Sequence, residues 1–285
     1  MKYQNPVNNL IEKRSSWRSY LDKPIEQEKL QKVEKILQTP QKGPFGNKAR
    51  FKLIDVEKVS PEARRNLGTY GMVRGARYFI AGAINQKPGC YEDYGYLLEQ
   101  IILFATDLNL GTVWLGGTFR KQAFAKQMNL SDEEILPAIT PLGYHPKKRR
   151  IIALIIRWFI GANKRKPWSK IFFVNDFDHP LLQEDAGAFR GPLEMVRLAP
   201  SSHNGQPWRI VKEKDSTNFH FFVHDKSAKD SSPANFVRID GGIAMSHFEL
   251  SLKEKGLKGN WKFLEADPFE HIPSKTHYLA SWLGK

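Results

Sequence analysis

Residues 91–117 read YEDYGYLLEQIILFATDLNLGTVWLGG. Tyr94, Leu97, Leu98, Ile101, Ile102, Phe104, Ala105 and Leu108 recur at helical spacing, which predicts a long helix from about Tyr91 to Leu108. So wide an apolar face implies burial on most sides. Gly111-Thr112-Val113-Trp114-Leu115 then reads as a short strand running into the turn Gly116-Gly117. The same grammar returns further along the chain. Asp240-Gly241-Gly242 opens a helix through Leu252, as Asp93-Tyr94-Gly95 opens the first. Lys255-Gly256-Leu257 and Trp261 parallel Asn109-Leu110-Gly111 and Trp114, and the loop Pro40 to Arg50 parallels Pro200 to Arg209. The period is roughly 150 residues, far longer than a solenoid repeat. It predicts an α+β protein of two related halves, residues 1–175 and 176–285, forming an internal pseudo-dimer.

Other elements fill in around this pair. Pro24 to Gln38 reads as a helix, and Phe51–Val56 and Arg77–Ile84 read as strands. Ser131-Asp132-Glu133-Glu134 has capping-box spacing and is expected to start another element. In the second half, Leu193–Leu198 ends a helix, Arg209-Ile210-Val211 and Asn218–His224 are strands, and Trp261-Lys262-Phe263 begins another.

Hydrophobic residues make up 41% of the 285, enough for a core and too many for wholesale disorder. The net charge of +14 suits an anionic partner. A single cysteine, Cys90, excludes an internal disulfide framework and a thiolate metal cage, and fits a reducing cytosol. The N-terminus has no apolar signal core, so a cytoplasmic location is expected. The greasiest stretch, Ile151 to Ala162, carries Arg157 inside it and lies between Lys147-Lys148-Arg149-Arg150 and Lys164-Arg165-Lys166. It is too short to span a bilayer, which takes about 20 apolar residues. It reads either as an interfacial anchor or as a core-packed segment. The second is the commoner case, so no membrane partner is expected.

Three motifs carry chemistry. Lys13-Arg14-Ser15-Ser16-Trp17-Arg18 combines guanidiniums, whose forked donors match phosphate oxygens, with two hydroxyls. Pro200-Ser201-Ser202-His203-Asn204-Gly205-Gln206-Pro207-Trp208 sets small donors and acceptors between stiffening prolines, which suits the polar edge of a flat heterocycle. Trp114-Leu115-Gly116-Gly117 allows close backbone approach to a ligand. Taken singly, each also reads as an ordinary basic surface or a plain turn.

Together they resemble the FMN-dependent nitroreductase family, in particular the branch with two nitroreductase-like halves fused in one chain. The resemblance covers about Leu10 to Phe173 and Leu181 to Phe263. It implies a nitroreductase-like fold in which Arg14, Ser15, Ser16 and Arg18 hold the FMN phosphate and the ring's polar edge. It implies that Trp114, Leu115, Gly116 and Gly117 lie near flavin N5 through backbone groups. Pro200, Ser201, Ser202 and Asn204 would contact FMN from the other half. Arg165 and Lys166, within Asn163–Trp168, would reach the phosphate, and Leu142-Gly143-Tyr144 resembles the strand end before that segment. The first half's loop, Pro40 to Asn47, lacks the serines, and Asn260 to Glu265 in the second lacks the paired glycines. One complete FMN site per chain is therefore expected, with a monomer as the functional unit. The implied activity is NAD(P)H-dependent reduction of a small conjugated acceptor such as a nitroaromatic or quinone. The flavin carries the chemistry, so no catalytic side chain is required.

Other classes have less support. No G-x-S-x-G surrounds any serine, and Cys90 has no histidine near it in sequence. His220 and His224 share a strand face about 13 Å apart, and no H-E-x-x-H is present, so no metal is expected. Neither a Rossmann fingerprint nor a P-loop occurs. A basic nucleic-acid module would use the +14 charge but has no accompanying signature, so nucleic acid is the lesser alternative. A flavin-binding sensor or scavenger without turnover shares every motif.

Overall fold

A computed structural model describes residues 1–39, 41–226, 235–264 and 269–285. Pro40 and Glu265, which end two of the motif comparisons above, lie outside the described residues. The chain packs as two units, Met1–Asn5 with Lys13–Phe159 and Pro6–Glu12 with Ile160–Lys285. Helix α1 (Val7–Lys13) therefore belongs, up to Glu12, with the second unit. There Glu254 accepts from the N–H groups of Val7 and Asn8, which gives two orphan donors of the helix start a charged partner.

In the first unit, α2 (Gln27–Gln38) precedes a short strand β1 (Gln41–Lys42), then β2 (Lys48–Asp55), α3 (Pro61–Asn66) and β3 (Tyr78–Asn85). Helix α4 (Cys90–Asp107) follows Gly89, whose φ of 76° turns the chain into it. Next come α5 (Lys121–Met128), β4 (Glu134–Ile135), β5 (Ile139–Leu142) and α6 (Ile151–Phe159). The sheet is antiparallel in the order β1-β2-β3-β4, with β5 also on β3. Phe51 faces Gly82 and Ile54 faces Phe79 across the central pair. Phe79, Val113, Leu115, Phe124, Leu136 and Ile139 belong to one buried cluster. Every residue of α4 except Tyr91 is buried, as its wide apolar face predicts.

Three expectations change here. Gly111–Leu115 is not a strand, because its backbone groups go to separate partners. Thr112 accepts from Trp17, Gly111 donates to Gly143, and Leu115 pairs with Ile139. Ser131–Glu134 does form half a capping box, with the Ser131 N–H on the Glu134 carboxylate at 3.1 Å, but it leads into β4. Pro137 forbids a continuing helix, and Arg50 claims the same carboxylate from β2. Helix α6 is not core-packed. Ile151, Leu154, Ile155, Trp158 and Phe159 are exposed, Ile156 is half-buried and Ala153 is buried.

In the second unit, β6 (Phe172–Val174) is followed by α7 (Arg190–Arg197), β7 (Trp208–Lys212), β8 (Phe219–His224), α8 (Asn235–Glu254), β9 (Gly259–Lys262) and β10 (Thr276–Gly284). The sheet order is β6-β7-β8-β10-β9, antiparallel except for β6 on β7. That parallel pairing, Phe172 on Ile210 through Val174 on Lys212, ties residues 160–175 to the second unit. The division thus falls at 159/160, not at the expected 175/176. Asp240 does not open α8 but sits in its second turn, and β9 ends at Lys262 where a strand start was expected. Trp261 packs edge to face with Phe221 and Trp282, and Trp282 with Phe248, which joins α8 to this sheet.

The repeat seen in sequence is also a repeat of interactions. Asp93 on α4 accepts from the N–H groups of Phe45 and Asn47, each at 2.8 Å, and so pins the loop of the first unit. Asp240 on α8 accepts from the Ser202 N–H at 3.0 Å and pins the loop of the second. Trp114 donates to Glu99 on α4 at 2.8 Å, and Trp261 to Glu249 on α8 at 2.7 Å. Counted from the two aspartates, the second glutamate stands about one helical turn further along.

Candidate functional site

The segment after α1 is extended and held from two sides. Trp17 donates to the Thr112 carbonyl at 2.8 Å, while Tyr20 donates to the carbonyl of Arg74 and Arg74 to that of Arg18. Pinned in this way, Ser16, Trp17 and Arg18 line a small cleft with Arg149, Arg150 and Arg157. The Trp17 indole stacks on His145 at 3.6 Å with an interplanar angle of 7° and carries the Arg149 guanidinium 3.9 Å from its centroid. Arg149 also donates to Ser15 Oγ at 2.6 Å. Gly111 lies close under this stack, where a Cβ would come within 3.1 Å of His145 and 3.3 Å of Trp17 and would press on both.

Arg14 is buried, with Nε 3.7 Å from Glu99 Oε1. Glu99 also takes the Trp114 N–H, so one buried carboxylate joins the arginine motif to the glycine turn. Burial lowers the pKa of Arg14, Arg18 and Arg149, and nearby Arg157 lowers all three further. These guanidiniums stay charged, since the group starts so high. The Nε atoms of Arg14, Arg18 and Arg149 are buried without a hydrogen-bond partner. Crowded like charges with unused donors suit an anion with several oxygens, such as a phosphate monoester.

Past the Leu115–Ile139 bridge, Gly116 and Gly117 form a bend whose second residue is exposed. A Cβ at Gly117 would meet no protein atom within 4 Å.

In the second unit the Pro200–Trp208 loop is internally braced. Ser202–Asn204 form a single 3-10 turn, and His203, Asn204 and Gln206 all have positive φ. Ser201 Oγ accepts from the Gln206 N–H at 2.9 Å, and Asn204 Nδ2 donates to the Gly161 carbonyl at 2.7 Å. Burial holds the Asp240 carboxyl under this loop well above its usual range, against the Ser202 bonds that lower it. Arg165 donates to Asn204 Oδ1 and the Leu198 carbonyl, both at 3.4 Å. Lys166 Nζ donates to the Gly205 and Gln206 carbonyls at 2.7 and 2.9 Å. Burial, with Arg209 and Lys226 nearby, pulls Lys166 down to about 8. Arg165 and Lys166, the two residues expected to reach a phosphate, also bond to the Pro-Ser-Ser loop.

A family model described as "Putative TM nitroreductase" matches residues 7–252. The chain belongs to this nitroreductase family. The crystal structure of a putative nitroreductase from Thermotoga maritima is 20% identical, with a TM-score of 0.61 over 99% of this chain and 95% of that one. The fold is thus a nitroreductase fold. Half-length structures also match. A putative nitroreductase from Desulfovibrio desulfuricans, solved in complex with FMN, is 23% identical over 53% of this chain and 95% of its own, with a TM-score of 0.40. A nitroreductase from Desulfitobacterium hafniense with bound FMN is 18% identical over 51% and 92%, with a TM-score of 0.41. No curated protein matches the chain.

In this nitroreductase-family chain, Ser16 and Arg18 of the expected FMN motif line the cleft, Ser15 accepts from Arg149 and Arg14 lies against Glu99, while the sequence reading missed Arg149, Arg157 and Glu99. Arg149 was one of four consecutive cations that read only as the basic flank of the apolar stretch. Arg157 read as a flaw in an apolar run, yet a lone charge in such a run was the available signal. Among the described residues no group of three or more histidines, cysteines or carboxylates could hold a metal.

Proposed function

We propose that the chain binds FMN and catalyses NAD(P)H-dependent reduction of a small conjugated acceptor such as a nitroaromatic or quinone. The observation that carries this is the arginine cleft, where the buried Nε atoms of Arg18 and Arg149 make no hydrogen bond, with Arg14 buried against Glu99, in a chain of the nitroreductase family. Bound FMN would supply hydride and electron transfer between nicotinamide and acceptor. The protein's part is binding and orientation. Arg14, Arg18, Arg149 and Arg157 would neutralise the phosphate, with Ser15 and Ser16 adding hydroxyls. Trp114, Leu115, Gly116 and Gly117 would present backbone to the flavin ring, with an N–H of Gly116 or Gly117 directed at N5. Pro200, Ser201, Ser202 and Asn204 would supply polar contacts from their braced loop, which Arg165 and Lys166 hold in shape.

The test is a visible spectrum after FMN addition and desalting. Bands near about 370 and 450 nm, at close to one flavin per chain, are expected. Addition of NADH or NADPH should bleach them, and steady-state oxidation separates an enzyme from a flavin holder. Two flavins per chain, or none, would overturn the proposal.

A substitution tests the ring contact separately. Gly117→Ala has room in the protein, so stability should change by no more than about 1 kcal/mol. The added methyl should nevertheless weaken FMN binding about tenfold, or about 1.4 kcal/mol. Unchanged affinity by fluorescence titration would remove the ring from this turn.

A further inference from the structure

Helix α6 is amphipathic the wrong way round for a helix packed on a core. Ile151, Leu154, Ile155, Trp158 and Phe159 form one stripe with the spacing i, i+3, i+4, i+7, i+8. All five are exposed, at 77, 51, 58, 82 and 83%. The buried side carries Ala153, and Arg157 lines the arginine cleft. Lys147, Lys148 and Arg150 are exposed just before the helix. Between Glu134 and Asp176 the chain has nine lysines and arginines and no aspartate or glutamate.

We propose that this face docks on the surface of an anionic lipid bilayer. Nine residues span about 14 Å, too short to cross the hydrocarbon core, so the helix would lie in the interface. The apolar stripe would enter the acyl boundary, with Trp158 at headgroup depth. The flanking lysines would reach the lipid phosphates. Charge selects this occupant. A second copy would set the same cations against each other, on a chain already at +14. A neutral apolar partner would leave the cations unused. The inference rests on this surface alone and is independent of flavin binding.

The experiment is co-sedimentation of the full chain with phosphatidylcholine vesicles, with and without about one-third phosphatidylglycerol. Partitioning onto the anionic vesicles should be at least about tenfold stronger and should weaken with salt. The double variant Ile155→Glu with Trp158→Glu, both on exposed positions, should lose about tenfold or more while keeping its circular dichroism. Brominated phosphatidylcholine in the anionic vesicles should quench tryptophan fluorescence of the unmodified protein, a readout that does not depend on the variant folding. Absence of binding to anionic vesicles overturns the proposal. So does binding that the double variant retains in full, or the absence of quenching. Concentration-dependent self-association that the variant abolishes, without vesicle binding, would overturn it too and assign the face to a second copy.

Discussion

Arg14→Ala should lower both stability and flavin affinity, and the two losses should be separable. The guanidinium is buried against Glu99, which is fully buried and shared with Trp114. Removing one member of a buried pair leaves an uncompensated charge and costs about 3–5 kcal/mol. Relief of repulsion with Arg157 should bring the loss toward the lower end. The same change removes a charge-assisted bond to the proposed phosphate, about 1.5–3 kcal/mol, or roughly ten- to hundred-fold in Kd. Glu99→Gln in the Arg14→Ala background keeps an acceptor for Trp114 and removes the stranded charge. The double variant should recover most of the denaturant midpoint and none of the FMN affinity. Recovery of both would make Arg14 a folding residue only.

The second large effect is a pH dependence set by Asp93. Burial pushes its carboxyl up to about 6, although the N–H groups of Phe45 and Asn47 pull the other way. In an unfolded chain an aspartate titrates near about 3.9. The folded state therefore holds the proton more tightly. The stability contributed by this group is complete below pH about 4 and is lost as pH rises through about 6. The gap between these two values corresponds to about 3 kcal/mol. Denaturant unfolding of the native chain and Asp93→Asn between pH about 3.5 and 7 isolates this contribution, since other carboxylates titrate alike in both. Relative to the variant, the native chain should weaken steadily from pH about 4 to 6. A difference that does not vary with pH would show that folding leaves the Asp93 pKa unchanged. The wider consequence concerns the loop. An ionised Asp93 is retained against its burial cost because it satisfies two loop N–H groups, as Asp240 does for the Ser202 N–H.

Much of this protein is legible from local pattern. The spacing of Tyr94 through Leu108 determined a buried helix, because a stripe that wide cannot face water. The paired aspartates, the loops before them and the two tryptophans after them exposed the duplication. Each of those residues serves a neighbour at a fixed offset in its own unit. The motif Arg14–Arg18 was visible for the same reason, as one short run of donors.

Tertiary structure decided what pattern leaves open. The cleft joins Ser16 and Arg18 to Arg149 and Arg157, which are more than a hundred residues away in sequence, and no local rule relates them. The Ser131–Glu134 bond forms as its spacing predicts, but a strand follows, since Pro137 and Arg50 act from outside the motif. Arg165 and Lys166 have the composition of a phosphate site, and they also donate to Asn204 Oδ1 and to the Gly205 and Gln206 carbonyls of a loop about forty residues on. Helix α6 makes the point most sharply. Apolar periodicity gives the direction of a stripe around a helix axis but not whether the core or the solvent lies on that side. That depends on what else packs there, and here the inward place is taken by Ala153 and an arginine of the cleft.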